Sequence, residues 1–509
     1  MIELSIGTPN GVIDQNIYGQ FIEHILTCIN GGIYDPCSPL ADETGIRADV
    51  LEKMKELAPP VLRFPGGTIM CQYHWEDAIG PMEKRIRRKN LIWGSELDPS
   101  FGTAEFVTFC RRIGAEPMIC VNMASGTAEE AGNWVEYCNG TRNTYYANLR
   151  RSHGYEEPFQ VKYWCIGNES YAEPDIGIHH DVSLYIRDAM EFIKFMKLTD
   201  KTIQTVIVGC DREDWNRPVL DALHPVTDYF SYHHYSGEGN MGLYGPFAGE
   251  RNLKETLARL TALLQTYPEQ VTDFSPWYRF PPRSGKIRIA LDEWNIWNFV
   301  PDETYGLLQT YNWRDALWTA SILNLLLSTP EIGMANLAQS VNVIAPIVAE
   351  TDGSWFQTIA FPLRLYRTAM TGTRLSVSFR SQNPVIDGKA AGQVEALNVS
   401  AVQNPDGTVR LAVVNRDFDH DYEIAVTEDA RNQNQSGDPD TAAKQTASPD
   451  CSFNPNLFQG KTGELTVLTG SAPDAVCSRN HSCVSETHAL IDGNTIRIPA
   501  GSISLITWR

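Results

Sequence analysis

No stretch of this 509-residue chain reaches the roughly 20 consecutive apolar residues that a membrane-spanning helix needs. The most apolar run, ALWTASILNLLL (316–327), is flanked by Asp315 and Pro330 and reads as a buried helix. No secretory leader is visible, because the opening MIELSIG alternates apolar and polar residues and reads as a strand. Positive charge is scarce: Lys and Arg number 42 against 62 Asp and Glu, for a net charge of −20. That balance argues against nucleic acid or an anionic membrane as the main partner. The one basic run, KRIRRKN (84–90), reads as a solvated loop or a set of ion pairs. The 11 cysteines lack metal-ligand spacing. Most, such as Cys110, Cys120, Cys165 and Cys210, sit in apolar stretches, as buried reduced thiols of a cytoplasmic protein would. Cys451, Cys477 and Cys483 lie together late in the chain, and their pairing stays open. There is no Gly-rich nucleotide turn, no Ser–His–Asp order and no phosphate cradle.

What is present is a repeated grammar. From about residue 18 to 340, short apolar strands end in polar or Gly residues and alternate with helical stretches. The strands are YGQFIEH (18–24), VLRFPGG (61–67), PMICVNM (117–123), VKYWCIGNE (161–169), QTVIVGC (204–210), YFSYHHY (229–235), IRIALDEWN (287–295) and MANLAQS (334–340). Eight such units predict an α/β fold, a (β/α)8 TIM barrel, over an open doubly wound sheet. From about residue 370 helices vanish and alternating strands take over, which predicts an all-β sandwich of jelly-roll type. The strand at 1–7 has no partner before the barrel and is expected to join it. The expected division is therefore 1–16 as that strand, 17–368 as barrel and 369–509 as sandwich, with a flexible polar insertion at about 430–460.

Active sites of such barrels lie at the C-terminal strand ends. Those ends hold Glu23 and His24, Thr68 just past Gly66 and Gly67, Asn122, Asn168 and Glu169, His233 to Tyr235, Asp292 and Glu293, and Gln339. Arg63 is the one cation near them. Carboxylates, amides, His and Tyr suit either metal-assisted hydrolysis or glycoside cleavage by paired carboxyls. The first strand end lacks a His-X-His, and His233 and His234 point to opposite faces, so no metal and no cofactor are expected. Glu169 and Glu293, each beside an amide or acid at a strand end, fit the pair that glycoside cleavage needs. By the same alternation, Asp292 is expected to point away from Glu293, into the barrel wall. A noncatalytic carbohydrate-binding barrel would not need both glutamates.

The stretches YGQFIEH, LRFPGG, YHWEDAIGP, NLIWGS, GAEPMICVNMASGTAEEAGNWVEYCNG, VKYWCIGNES, ALDEWNIW, NLAQSVNVIAPI and LAVVNRDFD run in one order from about residue 18 to 417. On them the chain resembles glycoside hydrolase family 51, the α-L-arabinofuranosidases. The resemblance implies a retaining, exo-acting hydrolase that removes terminal α-L-arabinofuranosyl residues from oligo- or polysaccharides. It implies Glu169 as acid/base, Glu293 as nucleophile, and sugar contacts from Glu23, Asn168, Tyr235, Trp93, Trp297 and Gln357, with His233 and Thr68 in the same pocket. Arg63 is expected to hold a glutamate ionised. Glu169, in turn, should have a raised pKa beside anionic Glu293. The resemblance also implies a homo-oligomer, hexameric in many relatives. β-D-Galactofuranosides or internal β-1,4-glucan bonds remain alternative substrates. Thr68, where relatives carry Asn or Cys, and SYAEPDIG after Glu169 depart from the family pattern.

Overall fold

A computed structural model describes residues 1–94, 96–172, 176–237, 241–428 and 462–509. Eight parallel strands close into a barrel: Gly19–Phe21, Val61–Phe64, Glu116–Val121, Tyr163–Ile166, Gln204–Ile207, Tyr229–Ser236, Arg288–Ile296 and Ile332–Ala338. Each is mostly buried, because barrel strands are covered by helices outside and by packed side chains inside. Helices that bury one face each, among them Ala48–Leu57, Thr103–Ile113, Val182–Thr199 and Glu213–Leu223, make the outer ring.

Nine further strands hydrogen-bond in one sheet, with the N-terminal Ile2–Val12 between Thr373–Phe379 and Tyr422–Glu428. Ile424 and Ile496 from one end of this sheet pack in one cluster with Leu411, Val413, Ile506 and Trp508 from its middle. The sheet therefore folds over on itself as a sandwich. The opposite sides of the same strands, through Ala412, Val414, Ile503 and Leu505, join the barrel's own core. Between the two lies the helix Trp313–Ser328, which is why nearly all of its residues, polar ones included, are buried. Asn324 bonds Asn398 and Ser400 across this junction, and Arg416 meets buried Glu250 at 2.6 Å.

The basic run at 84–90 is a set of ion pairs: Arg85 with Glu105, Arg87 with Glu96 and Asp98, and Arg88 with Asp77. The sulfurs of Cys477 and Cys483 lie 3.2 Å apart as thiols. Cys451 and the insertion expected at about 430–460 fall outside the described residues. Among the described residues no helix is long and apolar enough to cross a membrane.

Candidate active site

The strand ends deliver five charged groups to one buried cluster at the barrel mouth. Glu293 lies in the C-terminal half of the seventh barrel strand and is 5% exposed, yet it is fully held. Arg63 Nη1 donates to its Oε1 at 2.6 Å, and the Tyr235 hydroxyl donates to its Oε2 at 2.7 Å. Arg63 Nη2 donates to Asn168 Oδ1 at 2.6 Å, and its guanidinium lies 4.5 Å over the Phe21 ring. Carboxylates on two sides outweigh burial and hold Arg63 charged. So the second-strand arginine holds one oxygen of Glu293 and the Asn168 side chain in fixed positions.

Glu169 follows the fourth strand, in left-handed backbone at φ 43°, behind Gly167 at φ 85°. That turn swings its side chain across the mouth, and such strain in a non-glycine residue marks a position the surroundings over-determine. One oxygen each of Glu169 and Glu293 and one nitrogen of His233 all lie within 4.8 Å of one another. His233 Nδ1 is 2.8 Å from Glu169 Oε1 and 3.6 Å from Glu293 Oε2, and its Nε2 is 3.5 Å from Asp292 Oδ1. Burial opposes a charge on this imidazole, but Glu293, Asp292 and Glu169 around it win and hold it protonated far above the ordinary range. Burial likewise pushes the Glu169 carboxyl up, but the bond and charge of His233, with Arg63 behind, hold it below the usual carboxylate range. This overturns the expectation of a raised Glu169: it weighed Glu293 as the dominant neighbour and left out His233. In this state the proton of the pair sits on the imidazole.

Asp292 also departs from expectation. The pairing register shifts between Ala290 and Glu293, a β-bulge in the seventh strand. The bulge breaks the two-residue alternation, so both acids turn inward. Asp292 is 1% exposed, accepts from Ser231 Oγ at 2.6 Å and lies 3.6 Å from Arg63 Nε. It is the floor of the site, not part of the wall.

Glu23 completes the bowl. Its Oε1 accepts from Ile69 N and the Trp93 indole, each at 3.2 Å, and its Oε2 accepts from Gln339 Nε2 at 2.8 Å. Burial, then the charge of Glu293, push it up to about 7. The PGG turn passes against it: a Cβ on Gly66 would sit 2.5 Å from Glu23 Cγ, and one on Gly67 3.1 Å from Glu293 Oε1. Thr68 follows, half-buried. Trp297 stands edge-on to Tyr235 at 5.6 Å. Gln357, by contrast, is spent on loop backbone: Nε2 donates to Gln309 O and Ala345 O, and Oε1 accepts from Tyr311 N. Its bonds brace the loop and reach none of the carboxylates. His24 stacks on Tyr73, with burial lowering it to about 4, and Asn122 caps the turn at Ala124 and Ser125, so neither joins the cluster.

Asp292, Gln339 and Ser231 are the residues that reading strand ends did not assign. Gln339 was visible as a strand end, whereas nothing in the sequence signals the bulge that turns Asp292. Ligand atoms of Glu169, His233 and Glu293 nevertheless converge within 4.8 Å of one another. The set fits a metal poorly. A ligating His must be neutral, whereas three carboxylates hold this one protonated, and Arg63 already occupies Glu293 at 2.6 Å.

Two family models match the chain: residues 53–247 match the "Alpha-L-arabinofuranosidase 1 domain" and residues 292–502 the "Alpha-L-arabinofuranosidase C-terminal domain". The chain is 37% identical to alpha-L-arabinofuranosidase C of Emericella nidulans over 425 residues, which cover 79% of this chain and 82% of that protein. It is 34% identical to the intracellular exo-alpha-(1->5)-L-arabinofuranosidase 1 of Bacillus subtilis, over 82% of this chain and 86% of that protein. Among solved structures, the arabinose complex of alpha-L-arabinofuranosidase from Thermotoga maritima superposes with a TM-score of 0.85 at 33% identity, covering 100% of this chain and 99% of that one.

Proposed function

Because the chain belongs to glycoside hydrolase family 51, the α-L-arabinofuranosidases, we propose that Glu293 and Glu169 carry the two steps of a retaining, exo-acting arabinofuranosidase. The observation that carries this reading is the pairing itself: Glu293 gripped by Arg63 at 2.6 Å and Tyr235 at 2.7 Å, with a Glu169 oxygen within 4.8 Å. Retaining enzymes set the two carboxyls about 5–5.5 Å apart, whereas inverting ones leave room for a water between them.

Ionised Glu293 attacks the anomeric carbon, and the bond to the leaving oxygen breaks. The departing oxygen takes its proton from Glu169. A glycosyl ester forms on Glu293. Water then gives a proton to Glu169 and attacks the anomeric carbon, the ester bond breaks, and the original configuration returns. His233 and Glu169 share the proton this requires. In the first step the charge of Glu293 is consumed, the main force holding the proton on His233 is gone, and the proton passes across the 2.8 Å contact to Glu169. Tyr235 positions the nucleophile, and Asp292 fixes the imidazole from behind. Glu23 and the free amide of Asn168 take ring hydroxyls, with Trp93 and Trp297 as pocket walls.

The test is NMR observation of the first-formed sugar from α-L-arabinofuranosyl fluoride and from an arabino-oligosaccharide. Release of arabinose in its α-configuration is expected, and first-formed β-arabinose, or no arabinose, would overturn the reading. We place the enzyme in the cytoplasm, a reading supported by the intracellular Bacillus relative and by buried thiols, and propose a homo-oligomer on the family resemblance alone.

Thr68 is the position we assign to substrate choice. Its backbone runs past Glu23 and Glu293 on the two glycines, and a Thr offers one hydroxyl where Asn offers a donor and an acceptor. Thr68→Asn should shift the ratio of kcat/KM between 4-nitrophenyl α-L-arabinofuranoside and the bulkier β-D-galactofuranoside by about 2–13-fold, the worth of one hydrogen bond. An unchanged ratio with unchanged Tm would leave Thr68 as a turn residue only.

A further inference from the structure

The loop that follows the seventh barrel strand carries an aromatic surface that the mechanism does not use. Phe299 is 62% exposed and Tyr305 42%, and their rings stack at 22° with centroids 6.3 Å apart. Beside them Val300 and Leu308 are exposed as well. Scattered exposed apolar side chains are ordinary, but four on one loop make a patch that asks for an occupant.

The patch is continuous with the sugar pocket. The Phe299 ring lies 6.0 Å from Trp297, which stands against Tyr235. The Tyr305 ring lies 6.3 Å from Trp93, whose indole donates to Glu23. Both pocket walls therefore extend outward into the same exposed stack. The loop is also held in shape. The Trp297 indole donates to Tyr305 O at 2.8 Å, and Asp302 Oδ1 accepts from Thr304 N and Oγ1, each at 2.8 Å. Gly306, at φ 72°, lets the chain turn back where a Cβ would strike Asn298 O. A surface fixed in advance loses little freedom when a ligand settles on it.

We propose that Phe299 and Tyr305 form a binding platform for the leaving-group part of a neutral oligosaccharide. This rests on the arabinofuranosidase reading above. An exo-acting enzyme takes a chain end into its pocket, and that end has no neighbour on its own far side. A surface leading outward from the pocket walls therefore meets the rest of the chain. The apolar C–H faces of sugar rings pack on aromatic faces. Asp302 and Glu303 are the charged residues of the loop at 297–311, which has no Lys or Arg, so a uronate-bearing chain is repelled and a neutral one accepted.

The experiment compares two substrates of the full-length enzyme: α-L-arabinofuranosyl fluoride, whose leaving group has no ring to stack, and α-1,5-arabinotriose. In Phe299→Ala/Tyr305→Ala the ratio of kcat/KM for the triose to that for the fluoride should fall about tenfold, the scale of one buried aromatic contact surface. Phe299→Tyr and Tyr305→Phe, which keep the rings, should hold the ratio within about twofold of wild type. An unchanged ratio in the double Ala variant, or equal loss on both substrates, would overturn the platform. So would a changed sedimentation coefficient in that variant, which would make the patch a contact between copies of the chain. Wild-type enzyme inert toward both substrates would instead sink the parent reading, and the platform with it.

Discussion

Glu293→Ala should lose at least about 10⁴-fold in kcat on every arabinofuranoside, because no second group can form the glycosyl ester. Arg63 and Tyr235 make the result more specific than a simple loss. Both donate to the missing carboxylate, at 2.6 and 2.7 Å, and both remain in the variant. They face a space the size of a small anion, on the side of the sugar where the nucleophile belongs. Added azide should occupy it, attack the anomeric carbon of a substrate with a good leaving group, and release the arabinofuranosyl azide of inverted configuration. Removing one partner of a buried ion pair costs about 3–5 kcal/mol when the other is stranded. Here Asp292 at 3.6 Å and Asn168 at 2.6 Å still face Arg63, so the loss of stability should be smaller and the variant should fold. A melting curve beside the kinetics separates the two effects. A folded variant that azide does not rescue, or that rescue returns with retained configuration, would remove Glu293 from the nucleophile's role.

The barrel was legible because each of its strands is a short apolar run closed by polar or glycine residues, and hydrophobic patterning is what decides a strand. The sandwich was legible from alternation, although Thr373–Phe379 and Val484–Asp492 were not singled out. Val484–Asp492 is an edge strand with mostly exposed residues, VSETHALID, and so has little apolar pattern to read. At the site, the strand-end rule and the family motifs together brought Glu23, Asn168, Glu169, His233, Tyr235 and Glu293 to one mouth. They misplaced Asp292 and left out the effect of His233 on Glu169. Side-chain direction was taken from regular alternation, and a bulge between Ala290 and Glu293 resets it. Once Asp292 faces inward, His233 lies between two acids, and its effect on Glu169 follows from that geometry. For Tyr235 and Gln357 the motif gives the place at the pocket, and packing adds what each side chain holds: Tyr235 bonds Glu293, and Gln357 bonds loop backbone.

Glu169→Ala should separate substrates by leaving group. A general acid is worth about 10²–10⁴-fold, and that worth is greatest where the departing oxygen is a poor leaving group. On an arabino-oligosaccharide the variant should lose that full factor. On 4-nitrophenyl α-L-arabinofuranoside, whose phenolate leaves without a proton, the first step should be nearly intact. The second step then lacks its base, so the glycosyl-enzyme should accumulate as a burst of nitrophenolate followed by slow turnover. Azide needs no base, and it should speed that turnover while giving the azide of retained configuration, the opposite anomer to the Glu293 variant. The pH profile gives a further signature. In wild type, kcat/KM should fall as pH rises through the loss of the proton shared by His233 and Glu169. The pair is held high on its imidazole side by Glu293 and Asp292, so this basic limb should lie well above the range of a free carboxyl. With Glu169 gone there is no proton to deliver to the leaving oxygen, and the basic limb on the nitrophenyl substrate should flatten. Equal loss on the aryl and the natural substrate in a folded variant, with the basic limb unchanged, would mean that Glu169 positions the sugar and that the acid is another group.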